Sequence, residues 1–206
     1  MLIKEMQYED YVSLQKEKTE DPVRRQKWLA KREENARKFI ATFNQPAALE
    51  YLPRDKNAKI LCVGARTGEE VLALRMMGYK NAVGIDLVPC DDLVVSGDMH
   101  DMPFGDGEFE LLYTNVIDHS LMPHVFVEET FRVLSPTGAA FYQLQVGTEG
   151  DRYGVNDVEN PYEFKELVDE MARKHQYSEP DVKISRPTAL TPHNHGLNWN
   201  LFFRKV

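Results

Sequence analysis

The residues of this chain best suited to chemistry are glycines and carboxylates that stand at the ends of short apolar runs. Gly64-Ala65-Arg66-Thr67-Gly68-Glu69 follows the run from Ile60 to Val63. Its glycines allow a sharp turn and close approach to a ligand, and a following helix offers free N–H groups to an anion such as a carboxylate. Asp86 ends the next run, 22 residues beyond Gly64. From that position a carboxylate can accept both hydroxyl protons of a ribose. Gly97-Asp98-Met99 follows a third run, and Thr114-Asn115 and then Asp118-His119 follow a fourth. This pattern describes a pocket for a nucleoside that bears a small acid.

Such residues meet only if strands and helices alternate, and from Lys59 onward they do. The pattern predicts strands at 60–63, 82–85, 93–95, 109–114 and 139–146, with helices at 68–77 and 123–134. Asn160-Pro161-Tyr162-Glu163 opens a third helix of the core. Two late β-prone runs, 182–184 and 197–203, close the pattern. Alternation of this kind implies a mostly parallel sheet covered on both faces. In such sheets ligands bind beyond the carboxyl ends of the strands, where the strand order reverses.

Before Lys59 the signals are helical. Asp21-Pro22 is a helix start, Leu29, Ala36, Ile40 and Phe43 recur at helical spacing, and Asn44-Gln45-Pro46 ends the run. Residues 46–52 form a further short turn. Residues 1–58 are therefore expected to be a helical extension or lid, and 59–206 the ligand-binding domain. The extension carries 12 Lys and Arg against 10 Asp and Glu, whereas the rest carries 13 against 23.

The whole chain has 206 residues, 42% of them hydrophobic and 28% charged, with a net charge of −8. That suits one buried core with appendages and disfavours nucleic acid as an acceptor. No apolar stretch is long enough to cross a bilayer, and the N-terminus has no secretory h-region. Cys62 and Cys90 make no disulfide framework, so a cytoplasmic location is expected. His193-x-His195 could be two metal ligands but reads better as a loop pair, and Asp98, His100, Asp101 and Asp106 could suggest a divalent cation site, which is the less favoured reading.

The segments ILCVGARTGEE, VGIDLVP, GDMHDMPFGDGEFELLYTNVIDH and ETFRVLSPTGAAF resemble, in order and spacing, the motifs of class I S-adenosylmethionine-dependent methyltransferases, particularly the type 11 group. The resemblance spans roughly residues 58–146. It implies a Rossmann-like, doubly wound sheet of about seven strands with an antiparallel last strand. It also implies S-adenosyl-L-methionine as cofactor and S-adenosyl-L-homocysteine as product. On this reading Gly64, Ala65, Arg66 and Gly68 lie beside the methionine portion, Asp86 with Leu87 at the ribose, Asp98 and Met99 around the adenine, and Asn115 near the methionine end.

Two residues depart from the family pattern. Cys62 replaces the usual first-strand acid, and Arg66 replaces the middle glycine of the loop. Arg66 either pairs with the cofactor carboxylate or obstructs the pocket; the first is preferred because Gly64, Gly68 and Asp86 remain.

Methyl transfer from a sulfonium asks chiefly for alignment and exclusion of water. Where the acceptor must lose a proton, Asp118 and His119 stand in the right region to act as a base; packing of His119 is the other reading. The loop 147–160 would cover the acceptor site, with Arg152 and Tyr153 as candidate contacts to a small molecule or protein side chain. The alternative is a non-catalytic protein that binds the cofactor or its product, or serves as a partner subunit, through a degenerate glycine loop. A nicotinamide dehydrogenase is disfavoured because Arg66 and Glu69 replace glycines that its fingerprint requires.

Overall fold

Asp21 accepts the backbone N–H groups of Val23 and Arg24 at 2.9 and 3.0 Å, and Pro22 takes the first helical position where its missing N–H costs nothing. The helix they start is seen in a computed structural model that describes residues 2–3, 5–146, 153–158, 160–174, 183–185 and 197–205. Chain order begins with strand β1 (Leu2–Ile3), helix α1 (Tyr8–Glu20), α2 (Pro22–Phe43) and the short α3 (Pro46–Leu49). The sequence pattern does not separate α1 from its surroundings. There follow β2 (Ile60–Val63), α4 (Glu69–Met76), β3 (Ala82–Asp86), β4 (Val94–Ser96) and β5 (Phe109–Thr114). A turn of 3-10 helix, Ile117–His119, leads to α5 (Pro123–Val133) and β6 (Leu134–Val146). Last come β7 (Asn156–Asp157), α6 (Pro161–Lys174), β8 (Lys183–Ser185) and β9 (Leu197–Arg204).

The sheet runs in the order β4-β3-β2-β5-β6-β9-β8. Its body is six strands: β4, β3, β2, β5 and β6 are mutually parallel, and β9 is antiparallel to β6 from Ala139↔Arg204 to Val146↔Leu197. The three-residue β8 lies along the outer side of β9. The chain winds outward from β2 through β3 to β4, then returns to β5 on the other side, so strand order reverses between β2 and β5. β1 pairs with β7 in a separate two-stranded ladder.

Successive side chains of a strand face opposite sides, and β2 shows the result. Leu61 and Val63 join the core beneath α5 and α6 with Phe126, Phe131, Phe164 and Phe203. Ile60 and Cys62 join the opposite core with Phe39, Phe43, Leu74, Tyr113 and Phe202. The extension is thus part of the second core: Phe43 meets the Tyr113 ring edge-on at 4.9 Å.

Leu29 departs from the apolar stripe expected on α2. It is 38% exposed, whereas Ala36, Phe39 and Phe43 are fully buried. Only the C-terminal half of α2 packs on the sheet; Trp28, in its first half, lies against Arg66 instead. Among the described residues no helix is long and apolar enough to cross a membrane.

Candidate functional site

The glycine loop turns immediately after β2. The Gly64 N–H donates to the Ile85 carbonyl at 2.8 Å with φ at 75°, and a Cβ at this position would drive into the Val116 side chain. Gly68 caps α4 with φ at 70°. Between them Arg66 has φ at 27°, the one positive value of a non-glycine residue among those described. Its backbone N–H donates to Asp86 Oδ2 at 3.1 Å, and the Val88 N–H donates to Asp86 Oδ1 at 2.9 Å. Asp86 therefore ties the loop to the end of β3. Each oxygen retains acceptor capacity.

A cleft opens here, beyond the carboxyl ends of β2 and β3. Gly64 and Arg66 form one wall, Ile85, Asp86 and Leu87 the next, Gly97 and Met99 a third, and Val116 with His119 the side beyond β5. Tyr11, Gln15 and Thr19 of α1 cover it. Of the residues singled out from the sequence, Gly64, Arg66, Asp86, Leu87, Met99 and His119 converge on the cleft. Ala65, Gly68, Asp98, Asn115 and Asp118 are not on its walls.

Local bonding explains the displaced ones. Asp98 Oδ1 accepts both the backbone N–H and the ring Nδ1–H of His100 at 2.8 Å, so it shapes its own loop. His100 Nε2, left as acceptor, lies 2.9 Å from Ser120 Oγ. Where Asn115 was expected, the neighbouring Val116 faces the cleft, because its side chain fills the space that Gly64 leaves empty.

His119 Nδ1 lies 2.9 Å from the Tyr153 carbonyl. A carbonyl can only accept, so Nδ1 carries the proton and Nε2 presents a lone pair, 3.3 Å from Lys18 Nζ. Asp118 stands off at 3.7 Å from Nε2. Burial pushes the His119 pKa down, and Asp118 opposes that only in part. The ring is therefore neutral in the fold.

A histidine whose folded pKa is depressed binds its proton more readily when unfolded, so stability falls as pH drops through the ordinary value of 6.5. His119→Gln should flatten this acid limb in thermal melts between neutral and mildly acidic pH. An unchanged pH profile would contradict the assignment of a buried neutral ring.

Tyr153 is 5% exposed, with Lys18 and Arg24 each 5.0 Å from its ring centroid, and its carbonyl also accepts the Gln15 amide at 2.9 Å. Arg152 lies outside the described residues, as do Gly147, Gly150, His193 and His195.

Sequence reasoning missed Tyr11, Gln15 and Thr19. Their only signal is the four-residue spacing that puts them on one helix face, and charged neighbours from Glu9 to Glu20 obscure it. It also missed Glu70, a 5% exposed carboxyl near Cys62. Glu69 beside it accepts Asn35 Nδ2 at 3.0 Å and the Thr67 hydroxyl at 2.7 Å. Glu70 Oε2 has no hydrogen-bond partner among the described residues, and burial, aided by Glu69, holds its pKa well above the usual carboxylate range.

The methyltransferase domain family matches residues 61–142. A didemethyltoxoflavin N-methyltransferase of Burkholderia thailandensis, solved with bound didemethyltoxoflavin and S-adenosylhomocysteine, is 14% identical with a TM-score of 0.65 over 100% of this chain and 93% of that one. A possible histamine N-methyltransferase from Thermotoga maritima is 14% identical with a TM-score of 0.61 over 92% and 98%. Residues 61–142 thus carry a match to the methyltransferase domain family, and the solved neighbours share the fold of the chain around them. The methyltransferase fold extends to a solved cyclase, SpnF, 15% identical with a TM-score of 0.63 over 82% and 81%. No curated protein matches the chain significantly.

The cleft fits S-adenosylmethionine, the cofactor that the methyltransferase domain match implies, on two structural observations. Arg66 Nε is buried with no hydrogen-bond partner among the described residues, while its guanidinium rests 4.8 Å from the Trp28 ring centroid. A fixed cation with an unused donor suits a carboxylate. Asp86 faces the same space with acceptor capacity left, which suits a diol. Among the described residues no cluster of three or more His, Cys, Asp or Glu could hold a metal ion.

Proposed function

We propose that the protein transfers the methyl group of S-adenosyl-L-methionine to a small molecule or a protein side chain, with residues 1–58 as a lid over the domain of residues 59–206. The observation that carries this reading is the convergence of the Gly64 loop, Arg66 and Asp86 on one cleft at the switch point of the sheet.

When bound, the cofactor supplies a methyl carbon already activated by a sulfonium. The chain's own residues have to align the acceptor and keep water out. Asp86 holds the ribose, Arg66 the carboxylate, and Leu87 and Met99 flank the base. α1 shuts the cleft from solvent through Gln15 and Thr19. His119 lines the cleft, and its Nε2, on giving up the 3.3 Å contact to Lys18 Nζ, is the group proposed to take a proton from the acceptor. Tyr153, through its carbonyl, fixes the His119 tautomer.

Arg66 supplies the test. Arg66→Gly removes a side chain from a backbone with φ at 27° and should leave the fold as stable or slightly more so. It should nevertheless weaken S-adenosylhomocysteine binding about ten-fold in calorimetry, through loss of a charge-assisted contact. Tighter binding by the variant would mean that Arg66 obstructs the pocket. Failure of the wild-type chain to bind either S-adenosylmethionine or its product would remove the reading altogether.

A second reading is non-catalytic binding of the same cofactor. It is favoured by the Lys18 contact on His119 Nε2, which occupies the candidate base, and by a methyltransferase-fold neighbour that is a cyclase. Binding without turnover over a panel of acceptors would support it.

A further inference from the structure

Tyr11 sits on α1 at 0% exposure, yet its hydroxyl has no hydrogen-bond partner among the described residues and it lines the cleft. Two rings pack against its own. Tyr8 lies tilted by 41° at 5.8 Å between ring centroids, and His100 meets it edge-on at 5.8 Å. One helical turn on, Gln15 anchors the same face of α1 to the Tyr153 carbonyl. The hydroxyl is thus fixed in place rather than free to swing to solvent.

A buried phenol that makes no hydrogen bond is destabilising relative to a satisfied one. Native structures rarely tolerate this unless a ligand or water completes the bond. Asp86 lies on the wall of the same cleft, and burial together with its charge keeps the phenol protonated, a donor. An ionised carboxylate can only accept. A group that completes both must therefore donate to Asp86 and accept from Tyr11, which a ribose hydroxyl does with one oxygen.

We propose that Tyr11 is a specificity-determining residue that donates a hydrogen bond to the ribose hydroxyls held by Asp86, so that α1 closes over the cleft by touching the bound nucleoside. The proposal rests on the reading of the cleft as a nucleoside cofactor site. It makes the lid a ligand contact in its own right. α1 would stay docked most firmly when a nucleoside with intact hydroxyls is present.

The test is calorimetry on the full chain with S-adenosylhomocysteine and with its analogue lacking both ribose hydroxyls. Tyr11→Phe keeps the ring and its packing and removes one oxygen. The variant should bind S-adenosylhomocysteine about five- to ten-fold more weakly than wild type, and should bind the dihydroxyl-free analogue as wild type does. Equal binding of S-adenosylhomocysteine by both proteins would overturn the proposal, and so would an equal loss for both ligands, which would mark Tyr11 as packing alone. If the wild-type chain binds neither ligand, the cofactor reading fails and takes this proposal with it. Thermal melts of Tyr11→Phe, expected at or slightly above the wild-type midpoint, separate a lost contact from a damaged fold.

Discussion

Asp86→Ala should lose S-adenosylhomocysteine binding by about a hundred-fold or more. Two hydrogen bonds from a ribose to a charged acceptor are worth about 1.5–3 kcal/mol each, and together they account for a loss of that size. The same substitution removes the acceptor of the Arg66 and Val88 N–H groups, which hold the glycine loop to the end of β3. The thermal midpoint should therefore fall as well, by the cost of two partly buried donors left without partners. Asp86→Asn separates the effects, since its amide oxygen preserves one backbone contact while the charge is gone. It should recover most of the stability and little of the affinity. Affinity within three-fold of wild type for Asp86→Ala would show that the nucleoside is held elsewhere.

Glu70→Gln is expected to stabilise the protein. Glu70 is buried, one of its oxygens lacks a partner among the described residues, and its pKa is raised by burial and by Glu69. The sign follows from linkage. A carboxyl whose folded pKa is raised gives up its proton more readily when unfolded, so the folded state loses ground as pH rises from the ordinary value of 4.5 toward the raised one. Glutamine stays neutral throughout. The variant should match wild type at acid pH and exceed it near neutrality by about 1–3 kcal/mol, or roughly 3–10 °C in midpoint for a chain of this size. A midpoint at or below wild type at neutral pH would show that Glu70 is held by interactions its neutral amide cannot replace. A gain in stability coupled to weaker cofactor binding would mark Glu70 as a group retained for the site at the expense of the fold.

Much of the scaffold can be read from residues close together in the chain. Ile60–Val63 and Phe109–Thr114 appear as strands with the bounds expected from their apolar runs, and α2 starts at the Asp21-Pro22 signal. The end of α2 is also local: Asn44 donates its N–H back to the Ile40 carbonyl, just before Pro46. What reads poorly is the use made of an amphipathic surface. Leu29 and Phe43 look alike on a helical wheel, yet one is exposed and the other fully buried, because the sheet reaches only one half of the helix.

The site divides along the same line. Gly64, Asp86 and Met99 are legible because each stands at or within three residues of a strand's carboxyl end, and a parallel sheet sends all these ends to one rim. Asp98 follows a strand too, but a local contest decides its role, since His100 two residues on captures the carboxylate. Position 116 is decided by shape: the bare Cα of Gly64 admits the Val116 side chain.

By itself, then, the sequence determined a doubly wound sheet, the rim beyond its strand ends, and the glycine and carboxylate that line the cleft there, because these depend on periodicity and on residues adjacent to strand ends. Only the tertiary structure decided that α1 covers the cleft, that Tyr11 presents an unmatched hydroxyl beside Asp86, and that the His119 lone pair points at Lys18. Those contacts join segments about a hundred residues apart, as Lys18 and His119 are, and no local pattern records which face of a mixed polar helix will be pressed against the rim.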